Sequence, residues 1–118
     1  MRTHKIHFDK IQTDIEFLIG ENAEENTKLI FMADDEDLWF HISGGPSAHV
    51  IAVIHNVVIE RKHMSSIAKH GALLCKQYTN RVKSSKDKID IIYTKIKNVT
   101  PVNHQGTVDA CNTKTISV

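Results

Sequence analysis

Two short alternating runs on either side of a Gly/Pro loop constrain this chain more than any other feature. They are Asp37–Ile42 (Asp-Leu-Trp-Phe-His-Ile) and Ala48–Ile54, and Ser43, Gly44, Gly45, Pro46 and Ser47 lie between them. Period-two patterning flanking a Gly/Pro/Ser loop predicts a β-hairpin. A five-residue loop sets Ile42 opposite Ala48 and His41 opposite His49. Asp37, Trp39 and His41 then share one face of the first strand, beside His49 and Ile51 of the second. Leu38, Phe40, Ile42, Val50, Ala52 and Ile54 occupy the other face, which is uniformly apolar and reads as the core side. The first face holds the chain's one Trp together with two His and an Asp, and is the place to expect function.

The remaining elements follow from patterning. Residues 5–8 predict a short strand, and Asp14–Ile19 a second that ends at Gly20. Asn22 can cap a helix running to Phe31, with Glu24 and Glu25 in its first turn. Ser65–Tyr78 predicts the main helix, with Ile67, Ala68, Gly71, Ala72, Leu74, Cys75 and Tyr78 on its apolar face. Residues 55–59 extend or follow the second hairpin strand. Ile89–Ile96 predicts a strand, Asn98–Gly106 a loop, and 107–110 with 113–118 two short strands or one hairpin. The expected class is α+β: a mostly antiparallel sheet with a central hairpin, one main packed helix and a short N-terminal helix. At 118 residues the chain fits one domain able to bury a core. No apolar run approaches the ~20 residues of a membrane span, and no signal-peptide pattern opens the sequence. Two cysteines without a CxxC spacing suit a reduced, cytoplasmic protein.

The formal net charge of +1 conceals a dipole. Residues 1–60 carry four Lys/Arg against eleven Asp/Glu, a balance of −7, while residues 61–97 carry ten against two, a balance of +8. Such a basic block can form a phosphate-binding face, or can neutralise the acidic half across the fold. Lys62, Lys69, Lys76 and Lys83 recur every seven residues, which aligns Lys69 and Lys76 as a ridge on the helix. Arg81, Lys83 and Lys86 continue the basic character beyond it. Walker, GxSxG, HExxH and dinucleotide fingerprints are all absent. Neither a cofactor nor a metal is called for, although His41 and His49 could take a metal across the hairpin with Asp37 or another His completing the shell. Cys75 falls on the apolar helix face and reads as a small buried hydrophobe.

These residues also carry a family resemblance. Phe17-Leu-Ile-Gly20-Glu-Asn22-Ala-Glu-Glu25-Asn26, Asp37-Leu-Trp39-Phe-His41 and Ser47-Ala-His49-Val50 resemble the NFACT-R domain. Ser84-Ser85-Lys86, Asp90-Ile-Ile-Tyr93-Thr94-Lys95, Gly106-Thr-Val108 and Lys114-Thr115-Ile116-Ser-Val118 continue the likeness, which covers about residues 14–118. In larger members this domain follows a glycosylase-related domain and a coiled coil, and those proteins act in ribosome-associated quality control. The resemblance implies a standalone RNA-binding domain, with rRNA or tRNA as partner, on the ribosome, and DNA as the lesser alternative. Members often place a Lys/Pro/Gly-rich segment where this chain has residues 98–106, which contain neither Lys nor Arg. Asp37, Trp39, His41, Ser47 and His49, with Lys69, Lys76, Arg81, Lys83 and Lys86, form the expected nucleic-acid surface. Within it, Trp39 either stacks on a base or anchors the core. Two alternatives stay open: an RNA- or nucleotide-processing enzyme built on Asp37, His41 and His49, and a protein-interaction module without nucleic-acid affinity.

Overall fold

The computed structural model describes residues 1–103 and 107–118. The chain forms β1 (Arg2–Phe8), β2 (Thr13–Gly20), α1 (Ala23–Met32), β3 (Leu38–Ile42), β4 (His49–Val53), α2 (Arg61–Gln77), β5 (Asp90–Lys95), β6 (Val99–Pro101), β7 (Val108–Ala110) and β8 (Lys114–Ser117). Six strands make one sheet in the order β1-β2-β4-β3-β5-β8, and β6 pairs with β7 in a small second sheet. Every neighbouring pair is antiparallel, so the α+β class expected from the sequence is the class observed.

The hairpin adopts the expected register: Leu38 faces Ala52, Trp39 faces Ile51 and Phe40 faces Val50. Continued by one step, this sets His41 opposite His49. Gly44 and Gly45 supply the loop's sharp turn, both with positive φ (82° and 79°), a region that side chains with a Cβ avoid.

Both faces of the sheet are covered, which the alternation did not foretell. α2 lies on the apolar face, where Ile67, Ala68, Ala72 and Cys75 pack with Phe17, Phe40, Val50 and Ile91. Gly71 allows the closest approach: a Cβ there would fall 2.3 Å from the Phe40 ring. On the opposite face, Leu29 and Ile30 of α1 and Val99 of β6 pack with Trp39 and Ile51 in a second, smaller core.

Several boundaries differ from expectation. β1 begins at Arg2 and α2 begins at Arg61, so Lys62 belongs to the helix while Lys83 lies beyond it. Residues 55–59 form no strand. Val99–Pro101 is a strand inside the expected loop, paired to β7, and β8 joins β5 instead of β7. The end of that loop, with Gly106 of the family pattern, lies outside the described residues. Asn22 caps α1 as expected, its side chain accepting from Glu25 N at 2.9 Å.

Candidate functional site

The β3–β4 hairpin places Trp39, His41 and His49 on the face that α1 covers only in part. A cleft of about 540 Å³ remains there, walled by Trp39, His41, His49, Ser47, Asn26 and Val108 and bordered by the Gly44–Pro46 loop.

The three rings form a connected stack. Trp39 and His41 lie nearly parallel (centroids 5.5 Å, 20°), and His49 stands edge-on to His41 (4.9 Å, 85°). The indole N–H of Trp39 donates to His49 Nδ1 at 3.1 Å. Since that nitrogen accepts, neutral His49 carries its proton on Nε2. His41 is fixed the opposite way. Its Nδ1 lies 2.6 Å from Ile42 O, and a carbonyl only accepts, so Nδ1 holds the proton and Nε2 is left as an acceptor. Burial, reinforced by the neighbouring His41, lowers the His49 pKa to about 3. Burial also lowers that of His41, with the Arg81 charge adding to the effect against the opposing bond to Ile42. Both rings are therefore uncharged at neutral pH.

Trp39 is 1 % exposed, one face stacked by His41 and its N–H engaged by His49. This is the core-anchor alternative for Trp39 and not an open stacking platform. Asp37 is equally buried and serves the backbone. Its Oδ1 accepts from Ile54 N (2.9 Å), His55 N (3.0 Å) and the His55 ring (2.8 Å), and its Oδ2 accepts from Asp34 N (2.9 Å). The carboxylate is thus committed to the loop after β4 and raises the His55 pKa through that bond. Asp37 forms no triad with His41 and His49, and among the described residues no three His, Cys, Asp or Glu side chains are grouped to hold a metal.

Ser47 and Arg81 shape the rim. Ser47 Oγ accepts from Ile42 N at 3.0 Å, closing the hairpin end. The Arg81 guanidinium donates from Nε to Pro46 O (2.7 Å) and from Nη2 to Gly44 O (2.8 Å), so it both holds the loop and sets a cation beside the cleft. Exposed Lys83 and Lys86 follow on the same segment.

The lysine ridge stands elsewhere. α2 covers the sheet face opposite to the histidines, so Lys69 and Lys76 do not join the cleft. Lys69 is exposed, but Lys76 is a tether, its Nζ donating to Asp87 O and Val118 O at 3.0 Å each. Cys75 is fully buried, its thiol pKa pushed up to about 11 by burial.

Asn26 and Gly20 acquire roles that spacing alone did not reveal. Gly20 ends β2 without a positive φ, and its lack of a side chain makes room for Asn26. A Cβ at Gly20 would fall 2.3 Å from Asn26 Oδ1. The signal for this pair was present in the Gly20-x-Asn22-x-x-x-Asn26 pattern, which reads as a turn and cap because nothing local shows that Asn26 faces the sheet.

The fold and cleft define a small antiparallel α+β domain with an uncharged histidine pair under a cationic rim. No family model and no curated protein matches the chain. Among solved structures it is similar to the C-terminal of the fibronectin/fibrinogen-binding protein from Streptococcus suis, with a TM-score of 0.75 and 23 % identity. The match covers 97 % of this chain and 43 % of that one, so the chain spans less than half of its neighbour's length. At that identity the likeness concerns the fold alone.

Proposed function

We propose that this chain is a cytoplasmic NFACT-R-like domain that binds nucleic acid, with RNA (rRNA or tRNA) preferred over DNA and a role in translation or ribosome-associated quality control. The observation that carries the reading is the rim of the cleft. Arg81 is fixed by two loop carbonyls beside the histidine pair, and the exposed cations Lys83, Lys86 and Lys88 follow it on one segment. A cation at the mouth of a polar cleft, with others leading away from it toward the α2 side, suits a phosphodiester chain, because each ammonium or guanidinium on a phosphate releases condensed counterions. The residue pattern shared with NFACT-R supports the same reading, and two free cysteines fit a reducing compartment. No helix among the described residues is long and apolar enough to cross a membrane.

A titration with labelled single-stranded RNA and the DNA strand of equal sequence tests the proposal. At ~50 mM salt the expected RNA affinity is micromolar and tolerant of sequence. It falls steeply by ~200 mM as the phosphates are screened. Absence of RNA binding at ~50 mM salt would overturn it.

A further inference from the structure

We infer that the cleft receives one unpaired nucleobase of a bound RNA strand, edge-on to His41 and His49, with the adjoining phosphate at Arg81. This rests on the RNA-binding reading above and adds what the cleft itself recognises.

The argument begins with the two tautomers. Trp39 fixes His49 as a donor at Nε2, and Ile42 O fixes His41 as an acceptor at Nε2. Neither Nε2 has a hydrogen-bond partner among the described residues. The cleft thus offers a neighbouring donor and acceptor from rings 4.9 Å apart between centroids. The Watson–Crick edge of each nucleobase carries the complementary donor beside an acceptor. Phosphate, an acceptor only at its ionised oxygens, satisfies one of the two rings and leaves the other unmet. Because both rings are uncharged, the floor also lacks the cation that an anion would select.

Asn26 points the same way. The residue is 7 % exposed and lines the cleft, and its Oδ1 is buried without a hydrogen-bond partner among the described residues. Buried polar atoms are nearly always paired, so one left unmet beside a cavity marks a place that a ligand completes. A turn of the carboxamide into the cleft presents this oxygen to an N–H of the base edge. The volume, about 540 Å³, falls in the range of small-molecule sites. Beyond the uncharged floor comes the guanidinium at the rim, with Nη1 not used by the loop. A neutral, edge-patterned group next to an anion is the chemistry of a nucleotide. Trp39 serves as a positioning residue, since its N–H sets the tautomer of His49.

The test compares two single-stranded RNA oligomers of equal length and charge, one complete and one with abasic riboses throughout, on the full chain. The complete strand is expected to bind at least tenfold more tightly, and that ratio should not change with salt because the phosphates are common to both. In His41→Leu, which keeps the bulk and removes the acceptor, the ratio should fall to near one while the abasic affinity is unchanged. A ratio that stays at the parent's value in folded His41→Leu overturns the inference. Should His41→Leu fail to fold, Asn26→Ala supplies the second variant. It removes the oxygen offered to the base edge and adds no charge, so the ratio should again fall. Equal binding of the two strands by the parent protein overturns the inference and leaves the RNA-binding reading standing. Binding of neither strand at ~50 mM salt removes both. Nucleoside monophosphates that bind as tightly as the complete strand identify a free nucleotide, not an RNA strand, as the occupant and also overturn it.

Discussion

At the residue scale, the environment of His49 ties acid stability to the cleft. An unfolded His49 takes a proton near pH 6.5, whereas the folded residue resists it down to about pH 3. Between those values the unfolded chain holds the extra proton. Stability is therefore full above pH 6.5 and is lost as pH falls, by about 1.4 kcal/mol per unit from this group. His41, also lowered, acts in the same direction. His55 opposes them: its raised pKa contributes stability below pH 6.5 that disappears as pH rises through its folded value. His49→Gln cannot titrate, so its urea midpoint should decline less than the parent's between about pH 6 and pH 4. Parallel declines would show that His49 does not govern the acid limb. Much of this site was legible in the sequence. The hairpin register and the shared face of Trp39, His41 and His49 follow from period two and loop length. The use of each side chain was not, because Asp37 has the same parity as the histidines yet is claimed by backbone donors of residues 34, 54 and 55, which lie outside any local pattern.

At the scale of elements, α2 illustrates how similar residues on one helix part company. Lys69 and Lys76 sit two turns apart, yet only Lys76 bridges to the loop before β5 and to the chain end after β8. Its ammonium stands beside the Ile89–Val118 pair, which exchanges two backbone bonds (2.7 and 3.0 Å). Lys76→Glu removes both tethers and is expected to cost about 1–3 kcal/mol. Lys69→Glu should stay within about 0.5 kcal/mol. Hydrogen exchange at the Ile89 and Val118 amides should quicken in the first variant only. Equal melting of the two would mean that the tether carries no weight in the fold. The heptad spacing predicted the ridge correctly as geometry, but the loop and strand that take up Lys76 return from far along the chain. β6 was hidden for a related reason. Val99-Thr-Pro101 is too short to show alternation, and its partner β7 begins only at Val108.

For the molecule as a whole, the acidic and basic halves neutralise each other only in part. Glu36 draws in Lys95 (2.6 Å) and Lys97 (3.3 Å), and Glu60 pairs with Lys62 (3.3 Å). Arg61, Lys69, Lys83, Lys86 and Lys88 remain exposed without an ion-pair partner among the described residues. Exposed pairs of this kind add little stability, so their effect is mainly on where positive potential survives. If the strand runs from the cleft along residues 81–88, the double variant Lys83→Gln with Lys86→Gln should lower the slope of log affinity against log salt by about 1.4, at roughly 0.7 for each phosphate of a single strand that is no longer neutralised. The double variant Lys95→Gln with Lys97→Gln should leave the slope as it was. A slope unmoved by the first pair would place the phosphates elsewhere.

The strand order has a mechanical consequence. With six strands alternating in direction, β1 starts and β8 finishes at the same end of the sheet, on its two outermost edges. Tension between the chain ends therefore acts across the strands and opens their rungs in turn, as a zipper does, instead of loading them together in shear. The outer strands peel first. β3 and β4, with the histidine pair, lie innermost and are the last to feel the pull.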